Sequence, residues 1–180
     1  MIASAPFMSC HENQPAVGAN AGTVIDSPDF ARHGGSLGGS VAVAQLSRLA
    51  DQLADQKGSL AFELHGMRDE EGKSFLELRV AGSLNLRCQR CLSPLAYPVA
   101  IDSRLMLVAP GEEWPDEELE DDGIDAIEAS RELAVLPLVE DEVLLALPVV
   151  PRHEVCALPA NMETEPRPSP FAALAKLKDR

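Results

Sequence analysis

The stretch that most constrains this chain is Cys88-Gln89-Arg90-Cys91. Two thiols three positions apart can close a tight turn around one metal ion, or pair with each other. Before them Phe75, Leu76, Leu78, Val80, Leu84 and Leu86 read as strand. After them Leu95, Tyr97, Val99, Ile101, Leu105 and Leu107 read as strand again. The pair is therefore expected at the tip of a β-hairpin. Later in the chain His153-Glu154-Val155-Cys156 repeats the spacing, with a histidine in the first place. Cys88, Cys91, His153 and Cys156 together make a Cys₃His set, a normal composition for a closed structural zinc site.

Two other readings of these residues stand beside that one. They are ordinary reduced side chains, with His153 capping a turn and Cys156 packing as a small apolar group. Or Cys88 and Cys91 are a redox pair. Thioredoxin-like sites place such a pair at the start of a helix, which lowers the thiolate pKa. Here Leu92-Ser93-Pro94 leads into another strand, which weighs against the redox reading.

Composition narrows the function classes. Of the 180 residues 46% are hydrophobic but only 4% aromatic, so the core must be mainly Leu, Val and Ala. That length suits one domain with tails. The formal net charge of −14 argues against a broad basic face for polyphosphate. The charge is uneven. Glu112, Glu113, Asp116, Glu117, Glu118, Glu120, Asp121 and Asp122 form an acidic run without a base. Arg167, Lys176, Lys178 and Arg180 make the far tail locally basic. The N-terminus has no basic region followed by an apolar run, and no apolar stretch approaches the roughly 20 residues that span a bilayer. A cytoplasmic protein is expected, where a CxxC more often means metal or redox chemistry than a structural disulfide.

Taken in order, residues 1–22 are expected to be a disordered leader carrying a stray thiol, Cys10. Gly34, Gly35, Gly38 and Gly39 mark a bend leading to a short strand, since no Lys-Ser or Lys-Thr follows as a phosphate loop requires. Val43, Leu46, Leu49, Ala50 and Leu53 predict a helix over 43–56, stopped by Gly58. Alternation predicts strands over 59–65, 75–87 with a bulge at Gly82, and 95–108. The fold class expected is α+β, an antiparallel meander with a few packed helices, in one domain over 23–160.

Residues 110–123 are an acidic loop with Trp114 as its one anchor. The stretch 124–136 permits a short helix or a strand at Ile124-Asp125. A helix is predicted over 138–147, with Glu140, Asp141 and Glu142 in its first turns, where acids suit the helix dipole. Pro148 and Pro151 end it. Residues 161–180 are expected to be a Pro-rich linker (Pro166, Pro168, Pro170) and a short helix carrying Phe171, Leu174 and Leu177. So short a helix is marginal alone and should dock on the body or on a partner.

No G-x-S-x-G or H-E-x-x-H motif is present, and four protein ligands would leave a metal no open position, so no enzyme activity is expected. Arg79, Arg87 and Arg90 fall near the Cys pair, and Arg152 joins them if the two motifs meet. They form a candidate phosphate-contacting patch. The competing reading has them balancing nearby acids, with the loop 112–122 steering a basic protein partner instead.

Three motifs in order carry a family resemblance: Cys88-Gln89-Arg90-Cys91-Leu92; Leu138 to His153 (LVEDEVLLALPVVPRH); and Pro168 to Lys178 (PSPFAALAKLK). Over roughly residues 26–180 the chain resembles the bacterial YceD family, the large ribosomal RNA subunit accumulation proteins. The resemblance implies a cytoplasmic non-enzyme acting in synthesis, processing or stability of 23S ribosomal RNA. It also implies metal binding and nucleic-acid binding, and neither a membrane nor a small-molecule substrate. The candidate ligands of a structural Zn²⁺ are Cys88, Cys91, His153 and Cys156. The candidates for contact with ribosomal RNA, or with a ribosomal or processing protein, are Arg87, Arg90, Arg152, Phe171, Lys176 and Lys178. The rival from another class is a CxxC-dependent redox or metal-dependent enzyme.

Overall fold

The computed structural model describes residues 17–19, 22–114 and 124–157. The alternating segments become the three long strands expected: β4 Ser59–Arg68, β5 Ser74–Arg87 and β6 Pro94–Val108. Short strands extend this meander. They are β1 Val17–Ala19, β3 Ser36–Ala42 and β7 Ile124–Glu128. The six-stranded sheet has the order β1-β3-β4-β5-β6-β7. Its four central strands are antiparallel, while β1 and β7 add parallel edges. A small antiparallel pair, β2 Val24–Ile25 with β8 Leu133–Ala134, lies apart from it. The sheet is thus mixed rather than a pure meander, and β1 falls inside the stretch expected to be disordered.

One face of the sheet is buried. Leu60, Phe62 and Leu64 of β4, Leu76, Leu78 and Val80 of β5, and Val99 and Leu105 of β6 line it. Two helices and a turn segment cover this face. Helix α1, Ser27–Arg32, starts where the Asp26 side chain accepts the Asp29 N–H at 3.0 Å, an N-cap the sequence analysis passed over. It sits close on β4. A Cβ on Gly66 would lie 2.5 Å from the Phe30 carbonyl oxygen, so only glycine allows this approach. Helix α2, Val135–Ala146, turns Val135, Leu138, Val139 and Val143 onto the sheet.

Three expectations are corrected. Residues 43–56 form no α-helix but two 3₁₀ turns, Val43–Gln45 and Ser47–Leu49. Their bonds run three residues back: Leu46 N–H to Val43 O, Leu49 N–H to Leu46 O. A step of three matches the 3₁₀ repeat, so Val43, Leu46 and Leu49 all reach the core without a helix. Helix α2 begins three residues early, so Glu140, Asp141 and Glu142 are mid-helix and not at its positive end. Each has another task. Glu140 Oε1 accepts the Arg48 N–H at 2.7 Å, Asp141 pairs with the Arg48 guanidinium, and Glu142 accepts from Ser103 of β6. They hold α2 to the turn segment and to the sheet. Finally, Gly82 is not a bulge, since it pairs in unbroken register with Leu60 and with Val99.

Two contacts then place the next segment. Tyr97 of β6 donates its hydroxyl to the Ala146 carbonyl at the end of α2, at 3.2 Å. Residues 148–157 therefore start beside the near end of β6, where the chain between β5 and β6 also lies.

Candidate metal centre

Strand β5 ends at Arg87 and β6 begins at Pro94, so residues 88–93 connect two antiparallel neighbours. The connection is closed twice. Leu92 N–H donates to Cys88 O at 2.9 Å, and Cys88 N–H donates to Ser93 O at 3.0 Å. Leu92 takes a left-handed backbone, φ 62°, to complete the turn. Curling the backbone this way points N–H groups at the Cys88 sulfur. The Cys91 N–H, then those of His153 and Arg90, lower the Cys88 thiol to about 5 from its ordinary 9.0, against the opposing effect of burial. The Ser93 N–H lowers Cys91 in the same manner.

The returning segment docks on this turn. Gln89 N–H donates to Pro151 O at 2.9 Å, and its side-chain amide to Val149 O at 3.4 Å. His153 and Cys156 are thereby carried to the two cysteines. One ligand atom from each of Cys88, Cys91, His153 and Cys156 lies within 4.8 Å of all the others. Cys88 is fully buried and the other three are half-buried. The four predicted ligands are therefore one cluster, assembled from two segments more than sixty residues apart.

The distances fit a tetrahedral ion. With Zn–S about 2.3 Å and Zn–N about 2.0–2.1 Å, two sulfurs of one tetrahedron lie about 3.8 Å apart and a sulfur and a nitrogen about 3.6 Å. Cys88 Sγ and Cys156 Sγ are 3.9 Å apart, and Cys91 Sγ and His153 Nδ1 are 3.3 Å apart. Bonded sulfurs would sit at about 2.05 Å, so the Cys88–Cys156 pair is no disulfide. His153 Nε2 is 3.1 Å from the Pro94 carbonyl, the outer partner that commonly orients a ligating histidine. Hydrogen bonding to the Cys88 and Cys91 sulfurs raises the His153 pKa, while burial dominates in raising Cys156. Four donors leave no open position, so the set can hold an ion as a structural clamp but offers no site for substrate. The redox geometry is not built: the pair lies in a turn between strands and opens no helix.

The arginines fare differently. Arg90 is folded inward. Its Nε donates to Cys156 Sγ at 3.0 Å, and its Nη2 to the carbonyls of His153 and Glu154 at 2.9 and 3.3 Å. Arg79 pairs with Asp102 across the strands at 3.2 Å. Arg87 is exposed, with a long 3.4 Å contact to Leu53 O, and Arg152 is exposed. Phe171, Lys176 and Lys178, with the expected linker and helix, lie outside the described residues. Sequence reasoning missed Gln89 and the Pro94 carbonyl as supports, and it did not anticipate the contacts of Arg90 with Cys156, His153 and Glu154. A glutamine or an arginine inside CxxC carries no sign of which segment will return to it.

Comparison with known proteins agrees with the motif order. A family model described as "Large ribosomal RNA subunit accumulation protein YceD" matches residues 76–178. The chain is also similar to the large ribosomal RNA subunit accumulation protein YceD of Haemophilus influenzae. The two are 29% identical over 154 residues, which covers 79% of this chain and 87% of the relative. No solved structure matches.

Proposed function

The chain belongs to the YceD family of large ribosomal RNA subunit accumulation proteins, and from that premise we propose that it is a non-enzymatic, cytoplasmic factor for 23S ribosomal RNA, clamped by one structural zinc ion. The observation that carries this reading is the Cys₃His cluster inside the matched span. Such a site, filled, supplies folding free energy and no chemistry, because all four positions are taken. Cys88, Cys91, His153 and Cys156 would hold the ion; the β5–β6 connection and the segment after α2 would then be one unit. Among the described residues no helix is long and apolar enough to cross a membrane.

Contact with the RNA is proposed to pass mainly through a basic ribosomal or processing protein. With Arg90 and Arg79 engaged internally, the exposed cations near the cluster reduce to Arg87 and Arg152, against a net charge of −14. The acidic run of residues 112–122 is proposed to attract the partner, and Phe171, Lys176 and Lys178 are proposed to contact it.

The test is complementation. Cells lacking their own copy receive the parent chain or a Cys88→Ser, Cys91→Ser double variant, and the ratio of large- to small-subunit ribosomal RNA is measured. The parent should restore the ratio and the double variant should not. Full restoration by a double variant that is present at parental levels would overturn the metal-clamp reading.

A further inference from the structure

We infer that Arg90 is the positioning residue of the cluster: it offsets the surplus negative charge of three thiolates and pins the ligand-bearing segment 153–156 to the turn. The inference deepens the metal reading above and rests on it.

Three thiolates and a neutral histidine around a dication leave one negative charge. That charge sits in a half-buried place, where an uncompensated charge is costly. Arg90 is the cation in direct contact with the cluster, with its Nε 3.0 Å from Cys156 Sγ. A guanidinium stays protonated at any physiological pH.

Among the described residues no backbone–backbone hydrogen bond involves residues 152–157. Val155, between the two ligands, is 92% exposed, so packing does little to fix it. The segment is held by the His153 N–H on the Cys88 sulfur, by the His153–Pro94 bond and by the Arg90 fork, and the fork alone takes the carbonyls of His153 and Glu154 together with the Cys156 sulfur. One planar group thus grips both ends of the second ligand pair. A lysine would keep the charge, but as a point donor it cannot span all three acceptors.

The experiment compares the full-length parent with Arg90→Lys and Arg90→Met. Zinc affinity is measured by competition with a chromogenic chelator, and thiolate-to-metal absorption is read after cobalt substitution. Iodoacetamide labelling of the zinc-loaded protein is mapped by mass spectrometry. Loss of an outer-shell partner typically costs about 10–100-fold in metal affinity. Arg90→Met is expected to lose that much, to shift the cobalt bands, and to expose Cys156 to labelling first. Arg90→Lys should recover part of the affinity but not the parental cobalt spectrum. Parental affinity, spectrum and labelling in Arg90→Met would overturn the inference while leaving the zinc site standing. A parent chain that holds no zinc would overturn both.

Discussion

His153 Nε2 lies 3.1 Å from the carbonyl oxygen of Pro94, a group that can only accept. Nε2 therefore carries the proton, and Nδ1, 3.3 Å from Cys91 Sγ, is the nitrogen left for a metal. This single bond orients the ring and decides which nitrogen faces the cluster. His153→Ala should lose one of four donors and bind zinc far more weakly. His153→Cys should keep one zinc per chain at intermediate affinity, because a fourth thiolate closes the tetrahedron without the Pro94 tether. Zinc per chain and competition titration check both. Parental affinity in His153→Ala would remove histidine from the ligand set.

Helix α2 should depend on its buried acids. Glu140 is 6% exposed and accepts the Arg48 N–H in the 3₁₀ segment. Glu140→Leu keeps bulk but leaves that N–H unpaired, a cost of about 1–3 kcal/mol. Urea unfolding should show a lower midpoint with unchanged slope. An unchanged midpoint would mean water or another acceptor takes over.

These two sites show where sequence was enough and where it was not. Strands β4, β5 and β6 were legible because alternation of apolar and polar residues is a local signal with one reading. The segment Val43 to Leu53 was not, because steps of three and four serve a 3₁₀ turn anchored in the core as well as a helix. Strand β7 realises the strand alternative allowed at Ile124-Asp125, while β1 was not foreseen; both are short and join their neighbours in parallel, so no hairpin turn marks the pairing. At the candidate metal centre the spacing of Cys88 to Cys91 and of His153 to Cys156 pointed to the four side chains that cluster, since each pair lies within four consecutive residues. What lies between the pairs could not be read the same way. Whether Arg90 faces phosphate or sulfur depends on where α2 delivers residues 149–156, which is a property of the assembled fold.

Gly66 should tolerate no side chain. A Cβ there would meet the Phe30 carbonyl oxygen at 2.5 Å and the Ala31 Cα at 2.7 Å, both backbone atoms of α1. Gly66→Ala must push α1 from β4, and overpacking of this kind costs about 1–3 kcal/mol. Thermal denaturation should register it as a lowered melting temperature. Because the cluster is built by other elements, zinc per chain should stay at the parental value.

In chelator-stripped protein Cys88 should make stability depend on pH. Its folded pKa is depressed to about 5 from 9.0, chiefly by the Cys91 N–H. A depressed pKa contributes stability that is complete above the unfolded value and is lost as pH falls through the folded one. The parent should therefore exceed Cys88→Ser most clearly near pH 9, with the gap closing toward about pH 5. Denaturant midpoints measured across that window give the difference directly. A gap that widens on acidification would contradict the N–H cradle around the Cys88 sulfur.

Direct RNA binding should be weak. Arg90 is committed to Cys156 and Arg79 to Asp102, which leaves Arg87 and Arg152 exposed near the cluster. Two phosphate contacts on single strands give a log–log salt slope of roughly −1.4, at about −0.7 per contact. Against a net charge of −14 that attraction should not survive physiological salt, and binding to large-subunit RNA should be measurable only at low ionic strength. There, Arg87→Glu with Arg152→Glu should flatten the slope and weaken all RNA sequences about equally, because phosphates carry no sequence information. Arg90 is unsuitable for this test, since it also donates to Cys156 and to the His153 carbonyl. Neutralising the acids of 112–122 should raise RNA binding by reducing repulsion, yet impair complementation if that run recruits a basic partner. Saturable, salt-sensitive binding of the parent chain at physiological ionic strength would reverse this order and make RNA the direct ligand.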